Sequence, residues 1–387
     1  MKLSELTTKP ATTFAEAALA DAMAHHQQIG LQFSEFSGEE QNRLVALLGN
    51  LDAVTFSSSA DQASIQTLVS SDALPVLANQ LERQFADSAL VETLQTIQRA
   101  HEVHWLAGRF DFNVSTTPLI YGIVNVSPES FYDGGRYVEM TSILNRVQEL
   151  VDAGVPVIEL GGQTTRPGFK ELPVDVEIDR VVPAIRAVKT RFPEVAIAVD
   201  TYKLPVTKAV LAEGVDIIND VNAFTDDLRK LTLLAPSSVG VLTMHASRGH
   251  EYENLTTSMR DFFTDNLAAL EAAGIDRERI ALDEGIGYAK VADGYQDFTM
   301  MRNIDQFLPL QRPLMIAISR KGFGHKLFGL AKDDRLPVTL IAEAYMYLHG
   351  GRILRVHDAT ETVQLVKLLQ TIESSYWFPD RDEPTRH

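Results

Sequence analysis

The 387-residue chain contains no cysteine, which rules out disulfide bonds and thiolate chemistry and permits a reducing compartment. Long apolar runs are missing as well: none approaches the ~20 residues that a membrane-spanning helix requires. The N-terminal stretch MKLSELTTKPATTFAEAALADAMAHH has one early lysine and no sustained apolar core of the signal-peptide kind. Positive charge is scarce, with 35 Lys and Arg against 52 Asp and Glu and a net charge of −17. That balance argues against nucleic-acid backbones and anionic membranes as partners, while a local cluster of Lys, Arg and His suffices for an anionic small molecule. No GxGxxG fingerprint follows the first long apolar strand, and no P-loop occurs. These absences lead to the expectation of a cytoplasmic protein without membrane or nucleic-acid partners.

The length leaves room for an α/β barrel of roughly 250 residues plus a smaller unit. Residues 1–110 read as a small α/β domain. It has candidate strands at 31–36 and 53–56, a capping box at Ser37-Gly-Glu-Glu40, and helical stripes around Leu44–Leu48, Leu74–Leu81 and Leu90–Ile97. The segment 101–117 ends in an alternation of Phe110, Phe112 and Val114 with Asp111, Asn113 and Ser115, as expected of a hairpin closing the bottom of a barrel. From Leu119 onward, apolar strand cores alternate with amphipathic helices. The cores fall at 119–124, 156–160, 195–199, 216–218, 239–243, 279–282, 314–318 and 353–356. The intervening helices fall at 141–153, 175–190, 203–213, 256–273, 335–349 and 361–373. Eight strands in one such series predict a closed (β/α)8 TIM barrel over 111–387 rather than an open sheet.

The residues just past each strand core are polar. In order they are Asn125 with Asp133, Gly161-Gly-Gln-Thr-Thr-Arg-Pro-Gly168, Asp200 with Lys203, Asn219-Asp220, His245, Asp283-Glu284, Ser319-Arg-Lys321 and Arg355-Val-His357-Asp358. In a barrel these positions converge on one mouth. Asp220 and Asp358 also suit helix caps. Asp200, Asn219 and Asp283 suit a flat heterocycle bearing N–H donors, because a carboxylate accepts two parallel hydrogen bonds. Arg166, Lys321, Arg355 and His357 are cationic and suit phosphate or carboxylate. Asn125 offers a neutral oxygen to Mg²⁺, which keeps most of its waters and takes one or two protein ligands. The residues therefore suggest a heterocycle joined to a leaving phosphate, with no covalent enzyme intermediate.

The segments GIVNVSPESFYDGG, ELGGQTTRPG, VDTYK, IIND, LDEGIGYAK, SRKGFG and RVHD stand in the order found in dihydropteroate synthases, and the chain from about 118 to 375 closely resembles that family. The resemblance implies a dimeric TIM barrel that joins 7,8-dihydropterin-6-ylmethyl diphosphate to 4-aminobenzoate, with Mg²⁺ as cofactor and pyrophosphate as the second product. By motif, it implies Asp200, Asn219, Asp283 and Lys321 at the pterin. It implies Asn125, Thr165, Arg166, Arg355 and His357 at the diphosphate, with Asn125 also on the metal. It implies Phe131, Thr164, Pro167 and Gly322 at the aminobenzoate, and Asp133, Lys321 and Asp200 as catalytic. The chemistry it implies is SN1-like: diphosphate departs, a pterin-methyl cation forms, and the aniline nitrogen attacks. On this resemblance Asp133 and the ring-binding carboxylates are expected to stabilise the cation, with Gly134 and Gly135 read as a hinge of the first loop.

Several positions depart from the family pattern. Glu129 and Glu159 replace Asp, Gln163 replaces Glu, Gly322 replaces Ser, and Glu284 replaces Pro, with Glu284 expected to face solvent. Gln163, Gly322 and Glu284 suggest one alternative to the synthase, a catalytically silent pterin-binding paralogue, and a second is a methyltetrahydrofolate–corrinoid methyltransferase, which shares the pterin barrel. The retained Arg-Lys and Arg-Val-His elements argue against the methyltransferase, whose reaction releases no diphosphate.

Overall fold

The computed structural model describes residues 1–6, 14–57, 64–126, 140–163, 170–246, 250–288 and 294–378. The chain divides into two compact units, Val103–Val366 and Met1–Glu102 together with the chain from Lys367 onward. This differs from the boundary near 110 expected from the sequence, for two physical reasons. The hairpin at 104–113 packs with the barrel, and Phe378 near the C-terminus packs in the apolar core of the N-terminal unit.

The N-terminal unit runs β1 (Lys2–Glu5), α1 (Phe14–His25), β2 (Gln28–Ser34), α2 (Gly38–Gly49), β3 (Val54–Ser57), β4 (Ser64–Ser70), α3 (Leu74–Phe85) and α4 (Ser88–Ala100). Its sheet is antiparallel in the order β1-β2-β4-β3. Leu31, Phe33, Ile65 and Val69 alternate onto one buried face, where Leu44, Leu48, Leu77, Leu81, Leu90 and Leu94 cover them. Ser37 and Glu40 form the expected capping box: Glu40 N–H donates to Ser37 Oγ at 3.3 Å and Ser37 N–H to Glu40 Oε2 at 2.7 Å. Those two bonds satisfy donors that the start of α2 would otherwise leave open.

The second unit begins with the hairpin β5 (His104–Ala107) and β6 (Phe110–Asn113). The barrel follows: β7 (Leu119–Asn125), α5 (Met140–Asp152), β8 (Val157–Gly161), α6 (Val174–Arg191), β9 (Ala196–Asp200), α7 (Leu204–Ala212), β10 (Ile217–Asp220), α8 (Arg229–Leu234), β11 (Gly240–Met244), α9 (Leu255–Ala272), β12 (Ile280–Asp283), α10 (Tyr295–Arg302), β13 (Leu314–Ile316), α11 (Phe323–Phe328), α12 (Leu336–Leu348), β14 (Ile353–Val356) and α13 (Ala359–Glu373). Strands β7 to β14 close into a barrel in which each pairs in parallel with its successor and β14 returns to β7. The fold class expected from the sequence is the one observed.

The hairpin fills one end of this barrel. Trp105, Ala107 and Val114 share a core with Leu119, Tyr121, Val157, Ala196, Ile217, Leu242, Ala281, Met315 and Ile353, many of them at the N-terminal ends of their strands. Trp105 stacks on Tyr121 and donates its indole N–H to the carbonyl of Arg279 at 3.0 Å. With one end plugged, polar chemistry is confined to the C-terminal ends of the strands.

Candidate active site at the mouth of the barrel

Side chains alternate along a strand, so inward positions recur every second residue. On five strands the inward series passes from an apolar residue in the barrel core to a polar one nearer the mouth: Val157 to Glu159, Ala198 to Asp200, Ile217 to Asn219, Ala281 to Asp283 and Ile353 to Arg355. The change of residue type two positions along the strand places this polar layer on rigid elements.

Glu159 joins the layer together. Its Oε1 accepts from Arg355 Nε at 2.9 Å and from a second guanidinium nitrogen, and its Oε2 accepts from Asn219 Nδ2 at 3.1 Å. Arg355 also reaches Asp200 Oδ2 at 3.2 Å. Arg355 is thus paired with two carboxylates, which raise its already high pKa further against the opposing effect of burial. Burial pushes Asp200 up, to about 8, with the nearby Glu159 charge adding and Arg355 opposing. Two buried acceptors of this layer, Asp200 Oδ1 and Asn219 Oδ1, have no hydrogen-bond partner among the described residues. Unpaired acceptors of this kind are costly, so they mark places where a ligand's N–H groups gain most.

On the far side of the mouth, the turn after β12 holds Lys321. Asp283 Oδ1 accepts from Gly285 N–H at 2.8 Å, and Gly287 N–H donates to Asp297 Oδ1 at 2.9 Å. Lys321 Nζ donates to the carbonyl of Ile286 and lies 5.3 Å from the Tyr288 ring centroid. Both glycines of this turn have positive φ, +74° at Gly285 and +91° at Gly287. A Cβ would meet the His245 carbonyl oxygen at 2.1 Å in the first case and Lys321 Cδ at 2.9 Å in the second. Burial lowers Lys321 to about 8, against the opposing charge of Asp283, while burial raises Asp283. Gly322 follows as a half-buried residue at the start of α11, where a Cβ would meet nothing within 4 Å.

Other sequence expectations require revision. His357 is not a standing cation. Its Nδ1 is 3.0 Å from Ser319 Oγ, its carbonyl accepts from Arg146, and burial first, then the nearby Arg355, lowers it to about 3. His245 is likewise neutral, lowered to about 4 by burial beside Phe262 and Tyr252. Glu284 was expected in solvent, yet it is only 2% exposed and neither carboxylate oxygen has a hydrogen-bond partner among the described residues. Burial first, then the Asp283 charge, raises its pKa well above the usual range. Asp220 and Asp358 serve cations rather than acting only as caps: Asp220 pairs with the fully buried Lys230, and Asp358 takes a bidentate pair from Arg320 at 2.7 and 2.8 Å.

Asn125 ends β7 half-buried. A Cβ on its strand partner Gly161 would lie 3.3 Å from the Asn125 amide oxygen. Phe131, Asp133, Gly134, Gly135, Thr164, Thr165, Arg166 and Pro167 lie outside the described residues. The residue underweighted at the sequence level is Glu159, because attention to the residues following each strand overlooks one still inside it. The signal was present: Glu159 follows Val157 by the same two positions that separate Asp200 from Ala198.

Comparison with known proteins agrees with this geometry. The family described as "Pterin binding enzyme" matches residues 121–357. The chain is 34% identical over 263 residues to a dihydropteroate synthase of Streptococcus pyogenes, covering 67% of this chain and 98% of that protein. A crystal structure of the Yersinia pestis dihydropteroate synthase with a sulfonamide drug complex superposes with a TM-score of 0.66 at 29% identity, covering 70% of this chain and 100% of that one. The Xanthomonas albilineans dihydropteroate synthase with 4-aminobenzoic acid gives a TM-score of 0.65 at 28% identity, covering 71% and 99%. The barrel, its polar layer and these matches agree, and the chain belongs to the pterin-binding enzyme family, that of the dihydropteroate synthases.

Proposed function

We propose that this chain condenses 7,8-dihydropterin-6-ylmethyl diphosphate with 4-aminobenzoate to give 7,8-dihydropteroate and pyrophosphate in folate biosynthesis. The observation that carries the site assignment is the pair of buried, unpartnered acceptors Asp200 Oδ1 and Asn219 Oδ1. A pterin edge rich in N–H groups satisfies both, and Asp283 and Lys321 supply further contacts to the ring. Solved relatives complexed with 7,8-dihydropteroate and with 4-aminobenzoic acid support the same pair of ligands.

In the reaction, the bond from the pterin methylene carbon to the diphosphate oxygen breaks and its electron pair leaves with the diphosphate. The aniline nitrogen then forms the new C–N bond and loses a proton. Arg355 and His357 stand on the diphosphate side in this reading. Arg355 arrives already paired with Glu159 and Asp200, so it acts by orienting the layer as much as by binding anion. His357 is neutral, lowered to about 3 first by burial, so in this reading it meets the diphosphate as a hydrogen-bonding group rather than as a charge. The carboxylates around Asp200 favour a developing cation on the pterin methylene.

Asn125 would hold a magnesium ion through its neutral amide oxygen, beside Gly161, which contributes no side chain there. When bound, magnesium offsets charge on the departing diphosphate. Exposed Ile341 and Leu348 on α12 support self-association of the barrel as a dimer. The polar substrates, the absence of cysteine and the acidic composition support a cytoplasmic location. Incubation of the purified protein with both substrates and Mg²⁺ tests the reading: dihydropteroate is the expected product, and its absence contradicts the proposal.

A further inference from the structure

Past Ile316 and Leu354, strands β13 and β14 share no further register pair among the described residues, yet the segments that follow them carry Lys321 and His357. Side chains join these two segments instead, in sequence order. His357 N–H donates to Ser319 Oγ at 3.2 Å, and Nδ1 of the same histidine lies 3.0 Å from that hydroxyl. One residue further along each segment, Arg320 meets Asp358 through two parallel bonds. Nε donates to Oδ2 at 2.7 Å and Nη2 to Oδ1 at 2.8 Å. A guanidinium fork on a carboxylate fixes both distance and plane.

Arg320 is tied at its other groups as well. Nη1 donates to the Asp333 carbonyl at 2.6 Å, the backbone N–H to Thr339 Oγ1 at 3.1 Å, and the carbonyl accepts from Arg335 at 3.2 Å. It is buried and its φ is +53°, in the left-handed region that residues other than glycine and asparagine rarely occupy. Such a conformation persists only where the surroundings over-determine it. Here it turns the chain so that consecutive side chains part. Arg320 runs to Asp358 and the turn ahead of α12, while Lys321 runs to the mouth, where Nζ donates to the Ile286 carbonyl. A buried ion pair is weak grounds for stability, because both charges lose their water; fixing one geometry is its better-attested use.

We propose that Arg320 is a positioning residue: clamped to Asp358, it fixes the left-handed turn after β13 and thereby aims Lys321 into the mouth, in register with His357. The clamp takes over where the ladder between β13 and β14 stops, and it touches neither Lys321 nor His357 through its own side chains. Its part in turnover rests on the reaction proposed above, whereas the placement of Lys321 is a property of this chain alone.

The test uses the full chain with isotope-labelled dimethyl groups on its lysines, whose NMR shifts follow each ammonium. Lys321 is identified by the signal lost in Lys321→Arg. In the wild type it titrates at about 8, held down by burial against Asp283, with Arg355 adding to the fall and Asp297 and Asp200 opposing it. Arg320→Gly suits the left-handed backbone while removing the guanidinium, and Asp358→Asn keeps the shape while removing the charge. In both variants Lys321 should gain water and titrate higher, toward the ordinary 10.5. A fall of at least ~10-fold in kcat/KM should accompany the shift. A merely structural pair would lower Tm yet leave Lys321 at about 8 and turnover unchanged in the folded variants, and that result would overturn the proposal. Loss of the fold in both variants would overturn it too. Should the wild type yield no dihydropteroate, the reaction reading fails separately, and the titration of Lys321 still decides the clamp.

Discussion

Glu159 shows how one carboxylate can organise a site without being placed to react. Both of its oxygens are used, one on Arg355 and the other on Asn219, so it orients a cation and an amide at once. Glu159→Gln keeps the volume but removes the charge facing Arg355, and turns one acceptor into a donor. The expected result is a loss of at least ~10-fold in kcat/KM with the fold retained, the scale of a misdirected polar group in the transition state. Steady-state kinetics alongside a thermal melt checks this, and wild-type kinetics would remove Glu159 from the account. Glu284 makes a different prediction, about pH. With its folded pKa raised above the ordinary 4.5, the native state holds a proton that the unfolded chain releases. Native stability from this group is therefore complete below about pH 4.5 and declines as pH rises through the folded value. Glu284→Gln should add about 1–3 kcal/mol of stability at pH 8, read as a higher Tm, and flatten the decline above pH 4.5. Equal slopes in variant and wild type would contradict it. Of these two residues, the burial of Glu284 was not legible in the sequence, where a charged residue beside Asp283 reads as solvent-facing. Its burial comes from tertiary cover and not from any local pattern.

At the level of elements, legibility followed contrast. The eight barrel strands stood out as apolar, β-branched runs, and the longer crossover helices were recognisable by their amphipathic period. What escaped were elements whose residues lack that contrast. The strand β1 buries only Leu3 of four residues, α1 is rich in alanine, and β4 follows a serine-rich stretch that reads as loop. The helices α8, α10 and α11 span six to eight residues, too few turns for a period to register. Likewise, Arg355 and His357 read as free cations because sequence shows charge but not the partner across the barrel. The turn after β12 carries its own prediction. Gly287→Ala places a Cβ at φ +91° and 2.9 Å from Lys321 Cδ, so the lysine side chain that donates to the Ile286 carbonyl must shift. Strain of about 1–3 kcal/mol in stability is expected. A fall of at least ~10-fold in kcat/KM should accompany it as Lys321 is displaced. A variant that loses stability but keeps full turnover would separate the turn from the site.

At the scale of the whole molecule, the barrel is a plugged vessel with one reactive end. Trp105, fully buried between the hairpin and the barrel core, is the largest side chain of that plug. Trp105→Ala should cost about 3–5 kcal/mol of barrel stability through lost burial and cavity formation. Calorimetric unfolding checks the cost. Pterin affinity near wild type at a temperature where the variant is folded would show that the plug supports the site without shaping it. The central claim concerns the other end, where Asp200 Oδ1 and Asn219 Oδ1 await N–H donors from a pterin. Its most direct measurement is titration of wild type and Asp200→Ala with pterin diphosphate, followed by dihydropteroate formation with 4-aminobenzoate and Mg²⁺. The account predicts saturable binding and turnover in the wild type, with both kcat/KM and pterin affinity down at least ~100-fold in the variant, the loss of a buried hydrogen-bonding contact to the ligand. Undiminished binding and turnover in Asp200→Ala would contradict it.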